Sequence, residues 1–187
     1  MHPDFQLPSK GTINGRSSSI TAAFFTAITP AIEPTETEVE EVLSILGMSR
    51  GNCVCAYCGG VKSEWDHFRP IVEGRLPTGF ITEIANLVPS CSKCNQSKGN
   101  RHWKQWMMGT AKGSPKSRNV REIDKRIAAL DAYEKRWQPV KLDYPSIVGE
   151  QLWAKHLQNW KSLLASMVEA QLHANDLRTA IHAHLKK

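Results

Sequence analysis

Two Cys-x-x-Cys pairs, Cys55 with Cys58 and Cys91 with Cys94, constrain this chain more than any other feature. Each spacing lets two sulfurs turn toward one ion, and four thiolates close the tetrahedral shell of structural zinc, one ion per chain. Such a shell has no open coordination position, so this ion would hold the fold and do no chemistry. A redox dithiol would not explain why there are two pairs. Cys53, the fifth cysteine, is left as a buried or spare thiol, or as a competitor of Cys55 for the ion. A disulfide framework would come as an even set behind a secretion signal, and MHPDFQLPSKGTINGR has no apolar run ahead of a small-residue cleavage site. Nothing approaches the ~18 consecutive apolar residues of a membrane span. The expectation is a cytoplasmic, reduced chain with no membrane partner, its thiols free for metal.

The segment between the pairs has its own order. VKSEWDHF alternates enough to be a strand, and EIANLVPS reads as a second strand returning to the second pair. RPIVEGRLPTGF, marked by Gly74, Pro77 and Gly79, is the loop between them. A helix is expected from Ser92 to about Met108. The order is strand, loop, strand, helix, with zinc fastening both ends. Asp66 and His67 then close the first strand, and Asn95 lies near the start of the helix. A carboxylate and an amide oxygen are hard ligands that suit Mg²⁺ or a similar ion keeping several waters. A neutral His67 beside them can take a proton from an attacking water. A zinc-ribbon nucleic-acid-binding module without catalysis would explain the cysteines, but would leave Asp66, His67, Asn86 and Asn95 as coincidences.

CAYC, WDH, the NL of ANLVPSC, and CSKCNQSKGN together resemble the HNH, or ββα-metal, endonucleases, over roughly the middle third of the chain. The resemblance implies a metal-dependent DNA endonuclease with His67 as general base and Asp66 and Asn95 as ligands of the catalytic ion. It implies that Asn86 holds the loop and orients the histidine. Many members end the motif with a histidine; here Asn95 makes a His-Asn-Asn version and favours Mg²⁺ or Mn²⁺. Lys98, one helical turn from Asn95, is placed to contact phosphate.

The flanks supply helices and charge. Residues 1–17 read as irregular. SITAAFFTAIT, stopped by Pro30, is a short helix or strand burying Phe24, Phe25 and Ile28. Thr35 with Glu38 is a capping box opening a helix with Val39, Val42, Leu43 and Leu46 inward and Gly47 as its stop. Residues 109–119 are a basic loop. Residues 120–138 place Ile123, Ile127, Leu130, Tyr133 and Trp137 on one stripe. A longer helix from about Ile147 is expected to break at Asn175-Asp176. His173, His182 and His184 lack ligand partners and read as surface histidines.

The resulting picture is an α+β chain with a zinc-bound ββα core at 51–108. An N-terminal extension covers 1–50, and a helical C-terminal region for DNA contact or dimerisation covers 109–187. Lys+Arg 24 against Asp+Glu 18, a formal charge of +6, favours a polyanionic partner, here double-stranded DNA. No motor or methyltransferase motif is visible, and the core is similar to compact stand-alone type II restriction endonucleases. Non-specific, homing or phage-type nucleases are the alternatives. Cutting both strands of a palindrome favours a homodimer, with Trp153, Trp160 and Met167 as one candidate interface. Arg69, Arg75, Lys116 and Arg118 lie in loops that could read bases.

Overall fold

In the computed structural model, residues 7–185 are described. The first six residues of the segment expected to be irregular lie outside them. The chain divides into two compact units, residues 25–143 and residues 1–24 with 144–187. The architecture is α+β.

In the 25–143 unit, α2 (Glu36–Ile45) starts where Thr35 accepts from the Glu38 amide while Glu38 reaches back to the Thr35 amide. Two otherwise orphaned helix donors are satisfied reciprocally. The helix stops at Gly47, whose φ of +69° suits glycine, with the Met48 amide donating to Leu43 O at 2.7 Å and the Gly47 amide to Ser44 O at 3.0 Å. That is the Schellman closure the sequence predicts. Val42 and Leu43 are buried.

The expected ββα order follows. Strand β1 (Glu64–His67) leads to a small hairpin of β2 (Val72–Glu73) and β3 (Leu76–Pro77), then a 3-10 turn at Ile84–Asn86 and strand β4 (Leu87–Ser90). β1 and β4 pair antiparallel with Asp66 opposite Val88 and His67 opposite Leu87. The helix expected to run unbroken to Met108 is instead two, α3 (Ser92–Lys98) and α4 (Trp103–Met107). Gly99 ends α3 at φ +53°. The break lets Trp103 and Trp106 turn into the core, where Trp106 Nε1 donates to Ser97 Oγ at 2.9 Å. Helix α5 (Ile123–Arg136) closes the unit. Its Leu130 and Tyr133 are fully buried, as is Phe68, which stacks on Trp103 at 5.1 Å and meets the Tyr133 ring edge-on at 5.2 Å. This aromatic cluster lies directly behind the strand pair that carries Asp66 and His67.

The other unit is helical. It holds a 3-10 turn at Asn14–Arg16, most of α1 (Ser17–Thr26), α6 (Tyr144–Val148) and α7 (Glu150–Leu185). Trp160 is buried and donates to Thr21 Oγ1 at 3.1 Å, and Gln171 Oε1 accepts from the Ile13 amide at 2.6 Å. The break expected at Asn175-Asp176 does not occur. Asn175 accepts from Gln171 Nε2 through its side chain at 2.9 Å and from Thr179 Oγ1 through its carbonyl at 3.0 Å. Its intrinsic cost in a helix, under about 1 kcal/mol, is offset inside the helix itself. Leu172, Leu177 and Ile181 are each more than half exposed. Among the described residues no helix is long and apolar enough to cross a membrane.

Gly79 is the glycine of the larger unit whose side-chain position comes closest to other backbone. Its φ is +90°, a Cβ there would sit 2.3 Å from Leu142 O, and its own carbonyl accepts from the Leu142 amide at 2.8 Å. Gly79→Ala is expected to cost ~2 kcal/mol or more, combining backbone strain with a backbone clash. A denaturant titration checks this, and a variant within ~0.5 kcal/mol of the parent would show that the loop relaxes freely.

Candidate metal centres and catalytic cluster

The four cysteines of the two knuckles converge. Their sulfurs all lie within 4.8 Å of one another, and Cys58 Sγ is 3.7 Å from Cys91 Sγ. Zn–S bonds of about 2.3 Å put tetrahedral sulfurs about 3.8 Å apart, so the donor set and spacing fit zinc. The first knuckle is shaped by backbone bonds: the Cys55 amide donates to Gly60 O at 2.8 Å and the Gly59 amide to Cys55 O at 2.7 Å. The second is the entry to α3, with Cys91 as its N-cap and Cys94 buried one turn on. Hydrogen bonds from the Cys55 and Cys94 thiols hold Cys58 far below the ordinary thiol range, with hydrogen bonds from the Gly60 backbone and Arg118 adding to them. A thiolate is the form a metal takes. Cys53 is half-buried and stands outside the cluster.

Asp66 is 4% exposed, on β1. Its Oδ2 accepts from Tyr57 Oη at 2.6 Å, its Oδ1 accepts from Lys98 Nζ at 3.3 Å, and the Lys98 ammonium forms an ion pair with Oδ2 at 3.0 Å. Lys98 Nζ also donates to His67 O at 2.8 Å. Burial pushes the Asp66 pKa up against the attraction of Lys98, and pushes the Lys98 pKa down against the attraction of Asp66. His67 Nε2 lies 2.8 Å from Thr82 Oγ1. Burial lowers the His67 pKa below 6.5, outweighing the neighbouring carboxylate. The imidazole is therefore neutral at physiological pH. Asn86, fully buried, stitches the two ends of the insert: its Oδ1 accepts from the Arg69 amide at 2.8 Å, and its Nδ2 donates to Arg69 O at 3.0 Å and to Ile81 O at 3.2 Å. Asn95 is half-buried on the first turn of α3.

The donor chemistry also fits a hard cation. Oδ1 of Asp66, whose one hydrogen bond is the 3.3 Å bond from Lys98, and the amide oxygen of Asn95 are donors of the type such an ion takes. Among the described residues the four cysteines are the one cluster of three or more His, Cys, Asp or Glu at ligand spacing. A second ion would therefore rest on few protein ligands and keep its waters, as Mg²⁺ does.

The basic residues expected at phosphate or bases divide. Lys98 points inward and is buried, because the Asp66 carboxylate needs a counter-charge away from water. Arg118 Nη2 donates to Cys94 Sγ at 3.0 Å, held by the thiols. Arg69 pairs with Glu134 at 3.2 Å and lies over the Phe68 and Phe80 rings. Arg75, at the tip of the β2–β3 hairpin, and Lys116 are exposed. Two residues in the cluster had no role in the sequence. Tyr57 could have been noticed from its place inside CAYC, whereas Thr82 had no signal.

Comparison with known proteins agrees with this geometry. The family model described as HNH endonuclease matches residues 55–101, so the chain carries an HNH nuclease domain. A CRISPR-associated endonuclease Cas9 from Corynebacterium diphtheriae is 41% identical over 68 residues, which cover 34% of this chain and 6% of that protein. The chain thus spans a small fraction of the length of that relative. No solved structure matches.

Cys58→Ser or Cys94→Ser should remove the zinc and lower the melting temperature sharply, since apo sites of this kind lose folding energy outright. Elemental analysis with thermal melting checks it. A variant with full zinc and an unchanged melt would remove the structural role.

Proposed function

We propose that the chain is a metal-dependent DNA endonuclease that hydrolyses phosphodiester bonds, with His67 as general base. The observation that carries this is a neutral, half-buried imidazole, next in sequence to a buried carboxylate, inside an HNH domain. In the tautomer that donates Nε2–H to Thr82 Oγ1, Nδ1 is left with its lone pair to take a proton from water. Asp66 and Asn95 hold the divalent ion, Mg²⁺ or Mn²⁺. When bound, that ion supplies charge neutralisation at the scissile phosphate and the leaving 3′ oxygen. Asn86 fixes the loop after β1 so that the His67 backbone keeps its place. Zinc at Cys55, Cys58, Cys91 and Cys94 is structural. Exposed Arg75 and Lys116 are the DNA contacts that this arrangement leaves open.

Within that class we infer a type II-like restriction endonuclease, acting on double-stranded DNA as a homodimer in the cytoplasm. The support is the basic balance and the two-fold logic of cutting both strands. The similarity to a CRISPR-associated endonuclease favours a second reading, an HNH nuclease of another system.

His67→Ala should reduce cleavage by ~10²–10⁴-fold or more while zinc content and DNA binding stay intact. Cleavage at the parental rate would remove the base assignment. Sequencing the fragment ends made by the parent protein from modified and unmodified DNA separates the two readings. Discrete ends without any added guide support restriction; scattered ends, or none, count against it.

A further inference from the structure

Tyr57 lies inside the first zinc knuckle, between Cys55 and Cys58, and is fully buried. Its ring meets Trp106 edge-on at 5.1 Å, and its hydroxyl donates to Asp66 Oδ2 at 2.6 Å. That length is typical of a strong hydroxyl–carboxylate bond. Lys98, the other side chain bonded to the Asp66 carboxylate, follows Cys94 by one helical turn and leaves α3 at its last position. Each partner of Asp66 is thus delivered by a different knuckle. We propose that Tyr57 is a positioning residue for Asp66, through which the closed zinc site sets the geometry of the carboxylate that binds the second ion. The inference rests on Asp66 being a ligand of that ion.

The physical argument is one of lone pairs. A carboxylate free to rotate offers a metal either oxygen at several angles. Here Oδ2 accepts the short phenol bond at 2.6 Å, while Oδ1 accepts only the longer 3.3 Å bond from Lys98 Nζ, whose ammonium pairs with the carboxylate at 3.0 Å. The phenol thus holds Oδ2 and fixes the carboxylate plane, leaving Oδ1, with the weaker bond, as the oxygen to face the ion. The knuckle backbone is itself held against the strand pair, since the Ala56 amide donates to Pro89 O of β4 at 2.8 Å. Tyr57 cannot drift from Asp66 while the knuckle stays closed. Outer partners of this kind commonly change metal affinity or activity by ~10–100-fold when removed.

Tyr57→Phe keeps the ring and its Trp106 contact and removes only the donor. The test measures Mn²⁺ affinity from the EPR signal of free Mn²⁺, with kcat, DNA KM, zinc content and melting temperature alongside. The expected result is Mn²⁺ affinity weakened by ~10–100-fold and kcat lowered by a similar factor, with DNA KM and one zinc per chain retained. Mn²⁺ affinity equal to the parent, with zinc intact, would overturn the inference. Tyr133→Phe is the comparison, because it removes another buried hydroxyl from the same core, one bonded to Ile84 O and Leu87 O. An equal loss of Mn²⁺ affinity there would mean general loosening and would also overturn it. Asp66→Ala separates the layers: lost Mn²⁺ binding supports the ligand assignment on which the inference rests, and unchanged binding removes both. Should Y57F lose zinc, 3-fluorotyrosine at position 57 keeps the hydroxyl while making it a stronger donor. A Mn²⁺ affinity that shifts with that change supports the role, and one indifferent to it overturns it.

Discussion

Four sulfur atoms within 4.8 Å of one another tie residues 55–58 to residues 91–94, and the rest of the larger unit follows from that tie. The strands between the knuckles are short, and an isolated pair of four-residue strands is marginal in water. Closing their ends with a tetrathiolate site removes much of the entropy of that loop. The aromatic cluster of Phe68, Trp103 and Tyr133 then has a fixed surface to pack against. Arg118, beside Cys94, offsets the negative charge that four thiolates would gather.

The same closure creates an unusual electrostatic position. Asp66 is removed from water, and its charge is matched by one buried ammonium and one buried phenol. Such a group costs several kcal/mol to bury unless its lone pairs are met. The network gives each oxygen one donor, a short bond from Tyr57 at Oδ2 and a longer one from Lys98 at Oδ1. The His67 side chain, next in the strand, takes a different partner, Thr82, and is kept neutral by burial. One carboxylate and one neutral imidazole, held apart by strand geometry, are the parts a metal-assisted hydrolysis needs.

Much of this was legible because local chemistry forced it. Paired cysteines, the Thr35–Glu38 box and the Gly47 stop each have a mechanism that works from sequence alone, and each formed. The ββα order was readable for the same reason. The direction of long cations was not. Lys98 looked like a phosphate contact, and Arg69 and Arg118 like base readers, because only residue type and local position were visible. Their actual partners, Asp66, Glu134 and Cys94, lie 32, 65 and 24 positions away and meet them only after folding. The helix break at Gly99 was missed although the Gly99-Asn100 pair is itself a stop signal, while the expected break at Asn175 was cancelled by side-chain bonds within α7. The role of Tyr57 was not legible because its hydroxyl partner, Asp66, lies on β1 and meets it only after folding.

The central claim is that the chain holds two metals with divided labour, one in sulfur and one in oxygen. The most direct measurement is anomalous diffraction from crystals grown with zinc, Mn²⁺ and a DNA duplex, collected at both metal edges. The account predicts a zinc peak among Cys55, Cys58, Cys91 and Cys94, and a separate manganese peak bonded to Asp66 and Asn95 with His67 facing the adjacent phosphate. Manganese absent from Asp66 and Asn95, with DNA bound and zinc in place, would contradict it.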